Sequence, residues 1–96
     1  MTDRVHCCVP FCRRTCKGDP SRHEWVCGIH WRCVSTTLRR RKSRLFRRYR
    51  HLFADQHFSV FPAGSIRRLH AVKLDRLCDK AWERCKRAAI ERAAGI

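Results

Sequence analysis

The stretch Cys8-Val-Pro-Phe-Cys12, followed after a polar loop by Cys27-Gly-Ile-His30, is the most informative part of this 96-residue chain. Each close pair fits on one tight turn and offers two soft ligands. The loop between the pairs lets them converge on one ion, as a tetrahedral zinc site requires. Three thiolates and one imidazole leave no open coordination position, so such a site is structural. We therefore predict a zinc site with four ligands, Cys8, Cys12, Cys27 and His30.

The ligand set has open alternatives, because further cysteines and histidines lie close by. Cys7 can replace Cys8, and Cys16 can replace either member of the first pair. Cys33 lies three residues after His30 and can displace it as the fourth ligand. The weaker candidates are the remaining nearby histidines, His6 and His23. The plainer interpretation is that the thiols are reduced and hold no metal, or that some of them form disulfides.

The start of the sequence bears on the redox state of the thiols. Asp3, Arg4 and His6 leave no room for the apolar run of a signal peptide before the first cysteine. No stretch approaches the roughly 20 apolar residues of a membrane-spanning helix. We therefore expect an intracellular protein, in a compartment where thiols stay reduced and bind metal rather than form disulfides.

Positive charge dominates the composition and is unevenly distributed. The formal net charge is +15, and residues 37–54 contain eight basic and no acidic residues. Such a concentration of charge creates a strong local positive potential, for which nucleic acid is the default partner. An anionic membrane surface or an acidic protein face is the next candidate.

Residues 35–54 are predicted to form a basic amphipathic helix, capped by Ser35 or Thr36. Apolar side chains recur along one face at helical spacing. They are Leu38, Leu45, Phe46, Tyr49, Leu52 and Phe53. Arginines cover the rest of the circumference, at Arg39, Arg40, Arg41, Arg44, Arg47, Arg48 and Arg50. Lys42 alone falls inside the apolar face, where its stem packs and its amine reaches solvent.

A connection and a second helix follow the basic helix. Residues 55–64 contain Pro62 and Gly64, which interrupt the helical pattern. Residues 65–94 return to that pattern, with Ser65 as the predicted cap. The apolar arc of the second helix consists of Ile66, Leu74, Leu77, Cys78, Ala81, Trp82, Cys85 and Ala88.

These elements predict a mainly α fold in a single domain, residues 1–96. The metal-organised segment, residues 1–34, would form a zinc knuckle that caps one end of an antiparallel two-helix hairpin. Gly28 is expected to let the backbone of the knuckle curl around the metal. Cys78 and Cys85 stand about 10 Å apart along the second helix, so we predict buried thiols rather than a shared ion or a disulfide.

The arginine-rich helix favours an anionic partner over a merely solvated face. Arginine outnumbers lysine seven to one within residues 38–50, and its planar fork binds two phosphate oxygens at once. Because Gln56 is the only amide side chain in the chain, we expect contact with phosphates rather than sequence-specific reading of bases. DNA and RNA are both open as partners. Further basic residues can extend the surface, at Arg13, Arg14 and Arg32.

Two stretches carry a resemblance to known proteins: Cys-Cys-Val-Pro-Phe-Cys-Arg-Arg at 7–14 and Glu-Trp-Val-Cys-Gly-Ile-His-Trp-Arg at 24–32. They resemble small uncharacterised zinc-finger-like proteins of bacteriophages and prophages, best over residues 5–50. The resemblance implies a Cys, Cys, Cys, His site, which falls on Cys8, Cys12, Cys27 and His30. It also implies a phage origin, and with it the cytoplasm of a bacterial host, but no activity.

A small zinc-stabilised nucleic-acid-binding protein is the function that these features favour. The alternative is a phage accessory or inhibitor protein that docks on a host protein or nucleoprotein complex, with aromatic side chains as anchors. An enzyme is not expected, because a closed metal site lacks the open position that a zinc nuclease needs. A membrane-active role for the basic helix is less favoured, since the metal cluster and the second helix have no part in it.

Overall fold

The computed structural model describes residues 3–95, and over them the chain is mainly helical with one short antiparallel sheet. The predicted mainly α class is confirmed at this level. The elements in chain order are β1 (Arg4–His6), β2 (Thr15–Lys17), α1 (Gly28–Arg32), α2 (Thr36–Phe53), a 3-10 turn (Phe58–Val60) and α3 (Ile66–Ala93). None of the helices within this described part is both long and apolar enough to cross a membrane.

The chain divides into two compact units. The first comprises the residues up to Ser35 together with those from Cys85 onward, and the second comprises Thr36–Arg84. The single domain predicted for residues 1–96 stays a prediction. Because the division falls inside α3, this helix contributes most of its length to the second unit and its last turns to the first.

The first unit is built on the two-stranded sheet. β1 and β2 pair with Val5 opposite Cys16. Val5, Cys7 and Val9 are buried, while the residues between them are exposed or half-buried. This alternation is expected where one face of an extended segment is covered. The other buried side chains of the unit are also small, and are Val26, Cys27, Val34, Cys85 and Ala89.

The second unit is held together by an apolar cluster rich in aromatic rings. Phe53, the last residue of α2, is buried with Phe61 from the connection and with Ala71 and Leu74 from α3. The rings of Phe53 and Phe61 lie 5.7 Å apart between centroids. The partly buried side chains packed against this cluster are Leu45, Tyr49 and Phe58. The apolar face predicted for the basic helix is therefore the packed face, with Leu52 as an exposed exception.

The buried side of α3 consists mostly of alanines and thiols spaced three and four residues apart. It comprises Ala71, Leu74, Cys78 and Ala81 in the second unit and Cys85 and Ala89 in the first. The prediction that Cys78 and Cys85 are buried free thiols is confirmed. The predicted arc is wrong at two positions, because Ile66 is 86% exposed and Leu77 is 41% exposed.

The start of α3 has the cap predicted at Ser65. The hydroxyl of Ser65 accepts a hydrogen bond of 3.1 Å from the backbone amide of Arg68, which is the geometry of an N-cap. Gly95 follows the helix with a φ of 78°, as is common after a helix end. α2 ends differently, since Ala54 and Asp55 both adopt positive φ, at 52° and 61°.

Candidate metal centre

The first ligand of the candidate site comes from the end of β1. Cys7 directly follows this strand and forms an isolated parallel bridge with Trp25. Its backbone amide donates a hydrogen bond of 3.0 Å to the carbonyl of Arg14. These two contacts hold the backbone of Cys7 between two other segments of the first unit, and its side chain is only 6% exposed.

A tight turn joins the first ligand to the second. The amide of Cys12 donates a hydrogen bond of 3.2 Å to the carbonyl of Val9. Pro10 occupies the second position of this turn, and Phe11 the third with a φ of 68°. Proline followed by a residue of positive φ is the pattern of a type II turn. The turn reverses the chain, so that Cys12 comes back beside Cys7.

The second ligand pair lies at the start of α1. Cys27 is the N-cap of this helix, with an extended backbone, and its carbonyl accepts a hydrogen bond of 2.8 Å from the amide of Trp31. His30 is one helical turn further on, and residues three apart share a helix face. Gly28 does not adopt positive φ, and a Cβ added there would meet nothing within 4 Å. The expected need for glycine at this position is therefore wrong.

The two pairs converge on one point. The ligand atoms of Cys7, Cys12, Cys27 and His30 all lie within 4.8 Å of one another. His30 faces the cluster with Nδ1, which lies 3.1 Å from Sγ of Cys27 and 3.7 Å from Sγ of Cys7. The sulfurs of Cys12 and Cys27 lie 3.9 Å apart. The backbone amide of Cys27 also donates a hydrogen bond to the sulfur of Cys7 at 3.3 Å.

The donor set and its spacing fit a tetrahedral zinc ion. With Zn–S of about 2.3 Å and Zn–N of about 2.0 Å, neighbouring ligand atoms around the ion lie about 3.5–3.8 Å apart. Of the separations given above, 3.7 Å lies in this range, 3.1 Å is shorter and 3.9 Å is slightly longer. All eight cysteines are free, so no disulfide competes for the cluster. The cluster is consistent with a metal site, and its thiolate and imidazole ligands favour zinc over magnesium or calcium.

The two buried thiols of the cluster have opposite pKa shifts. Burial raises the pKa of Cys7. Burial also acts to raise the pKa of Cys27, but hydrogen bonds from the backbone and ring of His30 and from the thiols of Cys7 and Cys12 outweigh it and lower this pKa to about 6. Because the thiolate is the form that binds metal, Cys27 is the cysteine that the fold itself best prepares for coordination.

Cys8 is the ligand predicted from the sequence, but Cys7 lies in the cluster instead. The two residues are consecutive in an extended segment, where side chains alternate between faces. Cys7 belongs to the buried face with Val5 and Val9, whereas Cys8 is only half-buried. That alternation of Val5, Cys7 and Val9 is visible in the sequence and would have favoured Cys7.

Of the other predicted ligands and their alternatives, some lie in the cluster and some lie outside it. Cys12, Cys27 and His30 are brought together as predicted. The alternatives Cys16 and Cys33 are not part of the cluster. Cys16 lies in β2 opposite Val5, and Cys33 is exposed with its thiol 3.5 Å from the carbonyl of Ile29.

The basic surface of α2 lies in the second unit. Of the seven predicted nucleic-acid-binding arginines, Arg39 is half-buried, and its guanidinium donates a hydrogen bond of 3.4 Å to the hydroxyl of Thr36. Lys42 is half-buried as well, with its ammonium 4.2 Å from the centroid of the Phe46 ring. The exposed members of the set are Arg40, Arg41, Arg44, Arg47, Arg48 and Arg50.

An acidic cleft of about 290 Å³ in the second unit was not predicted. Three carboxylates line it, from Asp55, Asp75 and Asp79, together with aromatic side chains of α2. Burial raises the pKa of Asp79, and the negative charges of Asp75 and Glu83 add to the shift. Asp75, Asp79 and Glu83 are spaced four residues apart and so form an acidic stripe on one face of α3. This spacing is the feature of the sequence that could have indicated the acidic cleft.

Comparisons with known proteins add no relative. No family model, no curated protein and no solved structure matches this chain. The resemblance to zinc-finger-like proteins of phages and prophages therefore stays a prediction from the sequence.

Proposed function

We propose that this chain is a small zinc-stabilised nucleic-acid-binding protein, which contacts phosphates through the arginines of α2. The observation that carries the proposal is the exposure of six arginines on a helix whose segment, residues 37–54, has no acidic residue. Clustered guanidinium groups attract a phosphate backbone and bind its oxygens in pairs. A surface that only has to be soluble usually mixes basic and acidic residues. The absence of acidic residues from this segment is therefore not explained by solubility.

Zinc has a structural role in this proposal. The ligands come from the end of β1, the following turn and α1, so one ion would tie together segments that share few large apolar side chains. In small domains of this kind, the free energy of metal binding contributes directly to folding. The ion would be held by Cys7, Cys12, Cys27 and His30, and a site with four protein ligands leaves no position for substrate.

Within the second unit, we further propose that α2 and the first part of α3 form an antiparallel pair. At one end, Arg67 donates a hydrogen bond of 3.4 Å to the carbonyl of Leu52, close to the end of α2. Further along, Phe46 of α2 and Cys78 of α3 line the same cleft. Later residues of α3 thus lie near earlier residues of α2. Such a pair would leave the arginine side of α2 free for a ligand.

The test compares two sets of charge-removing variants. In the first, Arg44, Arg47 and Arg48 of α2 are changed to Gln, and in the matched control three exposed basic residues of α3 are changed to Gln. The control residues are Arg76, Lys80 and Arg84. Affinity for duplex DNA and duplex RNA is measured by fluorescence anisotropy over a range of salt concentrations.

We expect the affinity of the unmodified chain to fall steeply with salt, because phosphate contacts release counterions. The α2 variant should reduce the slope of log K against log salt by about 2 to 3, since each lost phosphate contact removes about 0.9 from it. The α3 variant should change the slope by less than half as much. An affinity that does not depend on salt, or equal effects of the two variants, would contradict the proposal.

A further inference from the structure

The side chain of Phe11 is fully open to solvent in the part of the chain that the structure describes. Its side chain is 103% exposed, which is the largest exposure among the exposed apolar side chains in the described part of the chain. A ring of this size normally contributes to a core or an interface. Here it lies at the outer corner of the turn that joins Cys7 to Cys12, so the candidate metal centre would hold the base of the ring in place.

The backbone of Phe11 makes the choice of residue more unusual. Its φ of 68° lies in the left-handed region, where a bulky residue is strained and glycine is the usual occupant of this turn position. Phenylalanine therefore weakens the turn, and its fully exposed ring buries no surface in a core. A strained residue displayed on a fixed turn is best explained by a ligand that the side chain contacts.

The charges around the ring indicate which kind of ligand this is. Residues 4–18 contain four basic residues and no acidic residue. Two of them, Arg13 and Arg14, follow the turn directly and are exposed. A flat aromatic ring beside cationic side chains is the arrangement that binds single-stranded nucleic acid, because a base stacks on the ring and phosphates meet the cations.

We propose that Phe11 stacks on an unpaired base of single-stranded DNA or RNA, while Arg13 and Arg14 bind the adjoining phosphates. This inference rests on the proposed nucleic-acid-binding function and narrows its substrate to strands with accessible bases. Paired bases present no free face to the ring, so Phe11 should contribute little to duplex binding. The stacking is tolerant of sequence, since every base offers an aromatic face.

The experiment uses the full chain loaded with zinc and a labelled oligothymidylate of about 12 nucleotides, with a duplex of the same length as comparison. The test variants are Phe11→Gly and Phe11→Trp. Because glycine suits the backbone at this turn, Phe11→Gly removes the ring without straining the fold. Ile66→Ala is the matched control, since Ile66 is another strongly exposed apolar side chain. Zinc content and thermal melting are recorded for every variant.

We expect Phe11→Gly to bind the single strand about 10- to 100-fold more weakly, with duplex affinity unchanged. Phe11→Trp should retain the affinity for the single strand, and Ile66→Ala should have no effect on either ligand. If the unmodified chain binds nucleic acid but Phe11→Gly leaves its affinity for the single strand intact, or weakens both ligands equally, the stacking role is overturned while the proposed function stands. If the unmodified chain binds neither the single strand nor the duplex, both proposals fail.

Discussion

The side chains of successive residues in an extended segment point to opposite faces, and this places Cys7 rather than Cys8 in the Cys/His cluster. Cys7 is 6% exposed and shares its face with Val5 and Val9. Its neighbour Cys8 uses its backbone instead, donating a hydrogen bond of 2.8 Å to the carbonyl of Trp25. The two thiols therefore have different roles despite their shared chemistry.

Serine substitutions separate these roles. Cys7→Ser should weaken zinc binding by more than about 100-fold, because it removes a direct ligand, whereas outer-shell changes cost about 10- to 100-fold. Cys8→Ser should leave zinc affinity unchanged. Competition with a chromophoric chelator measures both affinities. A larger loss in Cys8→Ser than in Cys7→Ser would show that the ligand assignment is wrong.

The space around the backbone is tight at Gly18 and open at Gly28. A Cβ added at Gly18 would lie 2.9 Å from the Cγ2 atom of Val5, which is buried in the first unit. Gly18→Ala should therefore destabilise this unit by about 1–3 kcal/mol, as overpacking does. Gly28→Ala, the control, should stay within about 0.5 kcal/mol of the unmodified chain. Thermal melting of the zinc-loaded protein compares them, and equal melting temperatures would contradict the packing around Gly18.

Three of the four residues of the Cys/His cluster were predictable from the sequence, because Cys12, Cys27 and His30 belong to short pairs whose spacing favours convergence on an ion. The choice between two adjacent cysteines depends on which face of a three-residue strand is covered. The alternation of Val5, Cys7 and Val9 is the sequence signal for that face, and these three residues are the buried ones. The left-handed conformation of Phe11 was likewise unpredictable, since glycine is the expected residue there.

At the level of elements, α3 shows how small side chains form a buried helix face. Ala71 and Ala89 are fully buried, although alanine is too common on helix surfaces to mark a core position by itself. The start of the predicted arc was wrong because Ile66, although strongly apolar, is 86% exposed in the first turn of α3. The hydrophobicity of a residue in the sequence does not show whether another segment of the chain packs over it.

Leucine truncations test the orientation of α3. Leu74 is 5% exposed and belongs to the cluster of the second unit, whereas Leu77 is 41% exposed. Leu74→Ala should destabilise the protein by about 2–4 kcal/mol through lost burial and a residual cavity, and Leu77→Ala by less than about 1 kcal/mol. Urea denaturation provides both values. A greater cost at Leu77 would mean that the buried face of α3 is assigned wrongly.

The acidic stripe of α3 predicts a specific dependence of stability on pH. Burial, with the charges of Asp75 and Glu83, raises the pKa of Asp79 above its ordinary value of 3.8. The folded state therefore binds more protons than the unfolded state above this pH, and stability falls as pH rises through the folded pKa. Asp79→Asn cannot titrate and escapes this loss, although exposure of Asp79 to solvent keeps the effect small.

Denaturation of both proteins at a series of pH values measures this effect. The stability of Asp79→Asn relative to the unmodified chain should increase as pH rises from 3.8 and become constant above the folded pKa of Asp79. A relative stability that is constant over this interval, or that decreases with pH, would mean that Asp79 is not held in an unfavourable environment.

At the scale of the whole molecule, two compact units are formed by one short chain, each with a different source of order. The first has a sheet of three-residue strands and a Cys/His cluster, and the second has helices and an aromatic cluster. Helices of 18 and 28 residues carry long periodic patterns and were predicted to within about two residues. The strands were missed because three residues hold too little alternation to recognise, and the division inside α3 leaves no mark on the helical pattern.

The central claim is that Cys7, Cys12, Cys27 and His30 hold one zinc ion. Native mass spectrometry of the purified chain, before and after mild acid, tests it most directly, because thiolate and imidazole ligands release zinc when they are protonated. We predict one zinc ion per chain at neutral pH, lost in acid and largely absent from the Cys7→Ser variant. A metal-free mass at neutral pH, and above all a mass short by two protons for each disulfide, would contradict the account.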